Sequence, residues 1–312
     1  MRNTITVMNA KGGVGKSTLV LALTETLATH HRKKVLVIDA DAQASVSHML
    51  AGQPQLEAAQ SEHRTIVDFL TDAVLKESTT NWRDFVLGDV SDVDDARSIA
   101  LVPSDMQLTL FEREVSKGNH EVGLRNVIRK WLAEARDSYD LVLIDSAPGL
   151  SVLTECFLRE ADFYLSPTKP DYVSARGLRF LREFKQRDPE MGFGDHLGVI
   201  INMKDPLSPQ DKRFESWLRR DPEYRCFHLS IPRVTFLQAT AFVAPPLRSY
   251  WAKYPGQTGD QLRRLCLEVL NRVAGPQQNS QVAEVETPEH GLKRLEGKMR
   301  AAWTTWKERT PL

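Results

Sequence analysis

Two lysines share one glycine-rich loop near the start of the chain, and such a loop can hold a phosphate group. The loop consists of Lys11, Gly12, Gly13, Val14, Gly15, Lys16, Ser17 and Thr18. Glycines let successive backbone N–H groups turn toward an anion, and a following helix N-terminus adds its positive end. Lys16 would reach the β- and γ-phosphates of a nucleoside triphosphate, and the Ser17 hydroxyl would hold Mg²⁺. Lys11 is an additional cation in this loop and suggests a more particular mechanism.

Three aspartates end apolar runs and could serve the same phosphate group. Asp39 ends the run 35–39, and Asp41 follows it two positions later. Asp145 ends the run 141–145. In open α/β sheets, ligands bind at the carboxyl ends of the strands. There a carboxylate can orient a water for attack on the γ-phosphate, or support Mg²⁺ through water. The alternative is that Asp39 and Asp41 only cap the next turn.

Two later strand ends could receive the base of a nucleotide. Asn202 follows the apolar run 197–201, and its amide could pair with the donor and acceptor of an adenine edge. Pro232 ends the next apolar run and could supply an apolar wall. Taken alone, each residue is more often part of an ordinary strand end.

The elements that must position these residues alternate between strand and helix patterns. Strands are predicted at 5–9, 35–39, 99–103, 141–145, 163–167, 197–202 and 226–231. Helices are predicted at 16–28, 66–75, 122–135, 151–159, 174–187, 210–219 and 259–273. Several strands are apolar at almost every position, as in a parallel sheet that is buried on both faces. The pattern predicts an α/β, doubly wound, mostly parallel sheet of about seven strands flanked by helices, as in a P-loop NTPase.

The chain divides into one large domain and a tail. The domain is predicted at 1–274, with a helical insertion at about 51–97 that a loop opens at 52–54. Residues 275–290 are rich in polar residues and proline, as in a linker, and 291–312 form a basic amphipathic helix with two tryptophans. This helix could dock on its own domain or a partner, lie on an anionic membrane, or contact nucleic acid.

Composition limits the classes of protein that need considering. The 312 residues contain 41 basic and 41 acidic side chains, so any nucleic-acid surface must be a local patch. The three cysteines form no CxxC pair, and therefore neither a disulfide framework nor a zinc site is expected. No signal peptide and no membrane-spanning run are evident, and we expect a cytoplasmic protein.

Together these motifs resemble the ParA/MinD family of deviant Walker-A ATPases, and the resemblance covers about residues 1–273. It lies in the loop 11–18, in Val37 to Gln43, in Val102-Pro103-Ser104, in Ile144 to Pro148, in Ala161 to Pro167, in Ile200 to Asn202, and in Ile231 to Arg233. The Asp41-Ala42-Gln43 and Ile231-Pro232-Arg233 runs are closer to the ParA branch. Asp41-Ala42-Gln43 lacks the usual proline of this family, and Ser146 replaces another common one.

The resemblance implies a homodimer that encloses two ATP molecules. Lys11 of one subunit would reach the nucleotide of the other, Lys16 would bind the phosphates, and Asp41 would position the attacking water. Ser17, Asp39 and Asp145 would hold or support Mg²⁺. ATP and Mg²⁺ are therefore the expected cofactors, and hydrolysis is expected to be slow and stimulated by a ParB-like or other partner protein.

The family also suggests ATP-switched, non-specific binding to DNA, and hence a role in partitioning DNA or positioning cargo over the nucleoid. Candidate contacts are Arg176, Arg179, Arg182, Arg219, Arg220, Arg233 and Arg248. The basic residue that many members carry after Ile-Pro-Arg is missing from 234–237. Two alternatives stay open: a membrane-associated, MinD-like positioning ATPase that uses the C-terminal helix, and a regulator whose ATP state gates protein binding.

Overall fold

In the part of the chain that the structure describes, six parallel strands form a central sheet. The structure is a computed structural model and describes residues 2–187, 191–233, 243 and 247–275. The strands are β1 (Thr4–Val7), β2 (Val35–Ala40), β3 (Ile99–Val102), β4 (Leu141–Ser146), β5 (Phe163–Thr168) and β6 (Asp195–Ile201). Their order across the sheet is β3-β2-β4-β1-β5-β6. The strand that leads into the glycine-rich loop, β1, therefore lies at the centre, beside β4.

Helices connect the strands and cover both faces of the sheet. They are α1 (Lys16–His31), α2 (Ser45–Ser61), α3 (Ile66–Leu70), α4 (Leu108–Lys117), α5 (Glu121–Ser138), α6 (Val152–Glu160), α7 (Tyr172–Arg187), α8 (Pro209–Arg220) and α9 (Gln257–Ala274). Short helical turns add Thr71–Leu75, Trp82–Phe85, Pro222–Tyr224 and Tyr250–Lys253. Within the described residues, each helix lacks the length or the apolar character needed to cross a membrane.

The apolar strands explain why both faces are covered. Alternate residues of β2 enter two different cores: Val35 and Val37 pack with α1, α2 and α9, whereas Leu36 and Ile38 pack with α3 to α6. All six residues of β2 are buried. A strand with apolar side chains on both sides is stable only between two layers of helices, so the predicted doubly wound arrangement is confirmed.

The predicted count of about seven strands is corrected to six within the described residues. The segment 226–231 runs beside β6, to which its backbone donates at two positions, but it forms no regular ladder. Side chains bond to several of the other backbone groups in this segment. Arg219 donates to the carbonyls of Phe227 and His228, and Glu268 accepts from the His228 N–H. These backbone groups are consequently unavailable to a strand pairing.

The predicted loop at 52–54 is instead a kink within α2. Gly52 takes φ 69° and ψ 168°, and the helix resumes beyond it with Pro54 inside its next turn. Leu50, Leu56 and Ala59 are all buried on both sides of the kink, which keeps the segment on the domain. The glycine and proline therefore bend a packed helix and do not end it.

A buried ion cluster joins the C-terminal part of the domain to α1. The Lys253 ammonium lies 2.7 Å from a Glu25 oxygen and 2.6 Å from an Asp92 oxygen, and all three side chains are almost fully buried. Tyr254 donates to Glu25 at 2.6 Å, and Arg248 lies 2.8 Å from Asp92. Because a buried charge is costly unless it is paired, this cluster fixes the chain around 92 and 248–254 against α1.

The chain divides into two units, Met1–Val273 and Ala274–Leu312. From residue 276 onward the second unit lies outside the described residues. The predicted linker, apart from Gly275, and the predicted helix at 291–312 therefore lie outside them too.

Candidate nucleotide site

The glycine-rich loop ends in a helix start that no side chain caps. Gly15 is the residue before α1, with φ 84° and ψ 35°, which is the left-handed region that favours glycine. Gly15 has no side chain that could cap the helix, and no described side chain accepts from the first N–H groups of α1. The N–H groups of a helix's first turn have no partner within the helix, so this end offers a donor set and a positive dipole to an anion. The loop therefore has the geometry of a phosphate site.

The strand ends bring the aspartates to this same edge of the sheet. Val7 of β1 is in register with Asp145 of β4, and Asp145 is in register with Asp39 of β2. The three strands are neighbours, so the loop after β1 and the two carboxylates converge, although 106 positions separate Asp39 from Asp145. Lys16 and Asp41 join this group electrostatically.

Asp145 is a buried carboxylate that forms no well-aligned hydrogen bond with the described residues. Its side chain is fully buried, and the Ser17 hydroxyl is the side-chain donor that influences it. Burial raises its pKa well above the ordinary value, and the charge of Asp39 raises it further, whereas Ser17 and Lys16 act to lower it. A carboxylate is costly in such a place unless a cation compensates it. Together with the Ser17 hydroxyl, this oxygen donor set fits a hydrated Mg²⁺.

Asp39 is held by donors from the start of α2. One oxygen accepts from both the N–H and the hydroxyl of Ser47, at 2.9 and 2.6 Å, and the other accepts from the Asp41 N–H. Burial raises the pKa of Asp39 to about 7 against these bonds. Ser47 also accepts from the Ser104 N–H at 3.1 Å. Asp39 thus fixes the loop that carries Asp41, and Ser47 is a supporting residue that sequence reasoning missed.

The two lysines of the loop occupy different environments. Lys16 is 7% exposed, and burial lowers its pKa while Asp145 and Asp41 act to raise it. Lys11 is exposed, and it forms no ion pair with the described residues. One lysine therefore faces the carboxylates of its own chain, and the other is available to a ligand or a second molecule.

Asn9 fixes the backbone that carries Lys11. Its side-chain oxygen accepts from the Lys11 N–H at 2.9 Å, and its amide donates to the Pro167 carbonyl at 2.8 Å. Asn9 is fully buried. Gly177 of α7 packs so closely that a Cβ at this position would collide with the Asn9 oxygen. Sequence reasoning missed both residues, because nothing in the local pattern distinguishes them from ordinary strand-end and helix residues.

Two cavities lie on either side of the loop and share Gly13 and Thr18. The first cavity has a volume of about 510 Å³ and contains the predicted phosphate-binding residues. It is also lined by Gly12, Gly15, Lys16, Ser17, Asp41, Gln43, Ser45, His48, Met49 and Pro148. The second, of about 290 Å³, is lined by Leu19, Ala22, Lys169, Asn202, Met203, Ile231, Pro232, Arg233 and Leu262. The predicted phosphate and base residues thus line adjoining spaces. Val14 is buried behind the loop.

Asn202 braces the loop in addition to lining the second cavity. Its amide donates to the Val14 carbonyl at 2.9 Å, and its oxygen accepts from the Met203 N–H. A Cβ on Gly15 would lie 2.6 Å from the Asn202 amide nitrogen. One N–H and one lone pair of the amide remain for a base.

Replacing Asn202 with alanine distinguishes two roles of its amide, which are to support the loop through Val14 and to recognise the base of the nucleotide. If the bond to Val14 is the main contribution, ATP and GTP should both bind about tenfold more weakly, since one lost hydrogen bond is worth roughly 1.4 kcal/mol. Titration of the purified variant with fluorescent ATP and GTP analogues measures both affinities. A loss confined to ATP would show instead that the amide reads adenine, as the sequence predicts.

The predicted DNA-contact arginines fall into two groups. Arg182 pairs with Asp221 and Glu223, Arg219 with Glu215, and Arg248 with Asp92. Among the described residues, no carboxylate pairs with the remaining four, which are Arg176, Arg179, Arg220 and Arg233. The first group is already engaged within the chain, so the second group is better placed to meet an external anion.

Comparison with known proteins identifies the family of this chain. The AAA domain family matches residues 2–190. The chromosome partitioning protein ParA of Myxococcus xanthus is 31% identical over 256 residues, which cover 81% of this chain and 83% of that protein. Apo McdA from Cyanothece aligns with a TM-score of 0.67 and 20% identity, over 87% of this chain and 100% of that one. The ParA of pNOB8, solved with nonspecific DNA, aligns with a TM-score of 0.64 and 21% identity, over 88% and 100%. At these identities the two solved structures support the fold alone.

Proposed function

This chain belongs to the AAA domain family as a ParA-like P-loop ATPase, and we propose that it is an ATP-dependent dimerising ATPase that partitions DNA or positions cargo over the nucleoid. In this proposal ATP joins two copies of the chain, the dimer binds DNA without reading sequence, and a ParB-like or other partner stimulates hydrolysis. The protein would then act in the cytoplasm at the nucleoid.

The difference between the two loop lysines carries the proposal. Lys16 is buried within the electrostatic influence of Asp145 and Asp41, whereas Lys11 is exposed on the same loop, where Asn9 accepts from its backbone N–H. Two cations in one loop repel each other unless an anion compensates both. A triphosphate bound in the loop supplies that anion, and the exposed lysine can reach a second nucleotide across a dimer interface. A cation delivered to the γ-phosphate by a partner is a recognised way to stabilise the transition state.

The surrounding carboxylates fit hydrolysis of the bound triphosphate. Asp41 lies at the wall of the phosphate cavity, where it can orient a water toward the γ-phosphate. Ser17 and Asp145 would hold Mg²⁺ with its water ligands, and Asp39 would support them through the Asp41 loop. When bound, Mg²⁺ would neutralise charge that develops on the phosphate oxygens. The chain's own residues then orient the water and exclude bulk solvent.

DNA binding would use arginines that no described carboxylate pairs with, such as Arg220 and Arg233. Contacts from arginine to phosphate are independent of sequence and weaken steeply as salt rises. Dimerisation doubles the number of such contacts, which makes binding depend on ATP. This is how a nucleotide could switch attachment to the nucleoid.

Co-sedimentation with DNA in the presence of ATP, ADP or no nucleotide tests this function. We expect ATP-dependent binding that salt abolishes, and the K16A variant, which loses the phosphate contact, should not bind under any condition. Absence of ATP-dependent binding at low salt would contradict the proposal. Liposome flotation under the same conditions tests the membrane alternative, which requires residues 291–312. If neither DNA nor liposomes bind, an ATP-gated protein-binding regulator is favoured.

A further inference from the structure

A groove runs between α7 and α8, and its lining residues are distinct from those of the two cavities at the nucleotide site. Ala175 and Leu178 of α7 and Leu218 of α8 pack together with β6, the edge strand of the sheet, and hold the two helices in place. On the outer side, the helices leave a concave space of about 400 Å³. Its floor is apolar and aromatic, with Ala175, Phe214 and Trp217.

Trp217 is an exposed aromatic side chain of this groove. It is 41% exposed, although its ring contacts Phe214 and Tyr224 at centroid distances of 6.4 and 6.0 Å. The ring is therefore fixed on one side and open on the other. A large aromatic side chain that is both held and exposed is typical of a residue that a partner covers.

Three arginines line the same groove. Arg176 and Arg179 lie on α7 and Arg213 lies on α8, and all three are exposed. No carboxylate among the described residues pairs with them, whereas Arg182 and Arg219 on the same helices are both ion-paired. The groove thus concentrates positive charge that the fold does not neutralise.

We propose that this groove binds an acidic amphipathic helix of a partner protein. Its apolar residues would cover Trp217 and Phe214, and its carboxylates would pair with the three arginines. An amphipathic helix laid in an apolar groove is a common mode of peptide recognition. Duplex DNA satisfies the arginines but offers no apolar face to cover the tryptophan. The arginines would repel a basic segment. A partner that binds in this groove therefore differs in chemistry from one that delivers a cation to the nucleotide site.

Fluorescence anisotropy with labelled synthetic peptides tests the groove on the full chain, without nucleotide. The probe is an amphipathic peptide of about 15 residues, long enough to form a helix, with leucine and phenylalanine on one face and glutamate on the other. A matched peptide carries lysine in place of glutamate. The variants are R213E and W217A, and the control is K212E, which makes the same charge change beside the groove on the same helix. Far-UV circular dichroism confirms that each variant is folded.

We expect the acidic peptide to bind in a salt-dependent manner, and R213E and W217A each to weaken it by about tenfold or more, while K212E leaves it within about twofold. Equal binding of the lysine peptide would overturn the proposal, as would no binding of the acidic peptide. A single-stranded oligonucleotide that binds with the same sensitivity to R213E and W217A, when the acidic peptide does not, would identify a nucleic-acid site instead. Because no nucleotide is present, these results are independent of the ATPase proposal.

Discussion

Replacing Lys11 with alanine is expected to abolish ATP-dependent dimerisation and to reduce ATP hydrolysis by about 10³-fold, while ATP binding to the single chain is largely kept. A cation that a partner delivers to the γ-phosphate is worth about that factor or more in related phosphoryl-transfer systems. Lys11 is exposed and pairs with none of the described carboxylates, so its loss should not unfold the chain. Lys16 remains to hold the phosphates. Sedimentation velocity with ATP and ADP measures the dimer, and phosphate release measures hydrolysis.

Two further variants define what the Lys11 result means. K11R keeps the charge and should retain part of the dimerisation, although the guanidinium is larger and differently shaped. K212A removes another exposed lysine, on α8, and should dimerise and hydrolyse ATP as the unaltered chain does. If K11A forms the ATP dimer and hydrolyses ATP normally, the lysine does not act across an interface. The dimer itself would then need a different explanation.

Much of the fold and of the phosphate site follows from short runs of sequence. A glycine-rich loop between an apolar run and a helical run is a local feature, because the backbone geometry of the loop depends on its own glycines. The runs 35–38 and 141–144 are apolar at every position, and each is followed by an aspartate, which indicates a strand covered on both faces. These aspartates then meet at one edge of the sheet, because parallel strands end together. Asp39 and Asp145 are indeed in register.

The supporting contacts could not be predicted in this way, because they join residues far apart in the chain. Asn9 bonds to Pro167, and Asn202 bonds to Val14 across 188 positions. The arginines illustrate the same limit. The sequence alone does not show that Arg248 is paired, but in the fold its guanidinium lies 2.8 Å from an Asp92 oxygen. A charge pattern gives the number of cations, and only the tertiary structure determines which of them are already paired.

The missing seventh strand has a related cause. The run 226–231 has the composition of a strand and does lie beside β6. Whether a ladder forms depends on which groups form hydrogen bonds with the backbone of the run. Here these groups include the side chains of Arg219 and Glu268. Arg219 belongs to α8 and Glu268 to α9, so the pattern of apolar residues within the run does not indicate these bonds.

Replacing Asp41 with alanine is expected to trap an ATP-bound dimer. Hydrolysis should fall by about 10²-fold or more, since a positioned group that activates or orients the nucleophile contributes that much. Dimerisation should persist, because Lys11 and Lys16 are unchanged and the triphosphate is no longer consumed. Asp41 suits this test better than Asp39, whose oxygens also hold the start of α2 through Ser47. The Asp41 side chain itself accepts from the Gln43 N–H at 3.0 Å.

The measurement is the lifetime of the dimer after excess ADP is added, together with the nucleotide recovered from it. In D41A the dimer should outlast that of the unaltered chain and should contain ATP. D137A removes an exposed carboxylate of α5 and should behave as the unaltered chain does, while K16A should form no dimer, because its phosphate contact is lost. D145A should instead weaken the Mg²⁺ dependence of ATP binding, since the Asp145 oxygens form no well-aligned hydrogen bond with the described residues and are proposed to face the metal's water ligands. A D41A dimer that turns over ATP at the unaltered rate would place the activation of water elsewhere in the site.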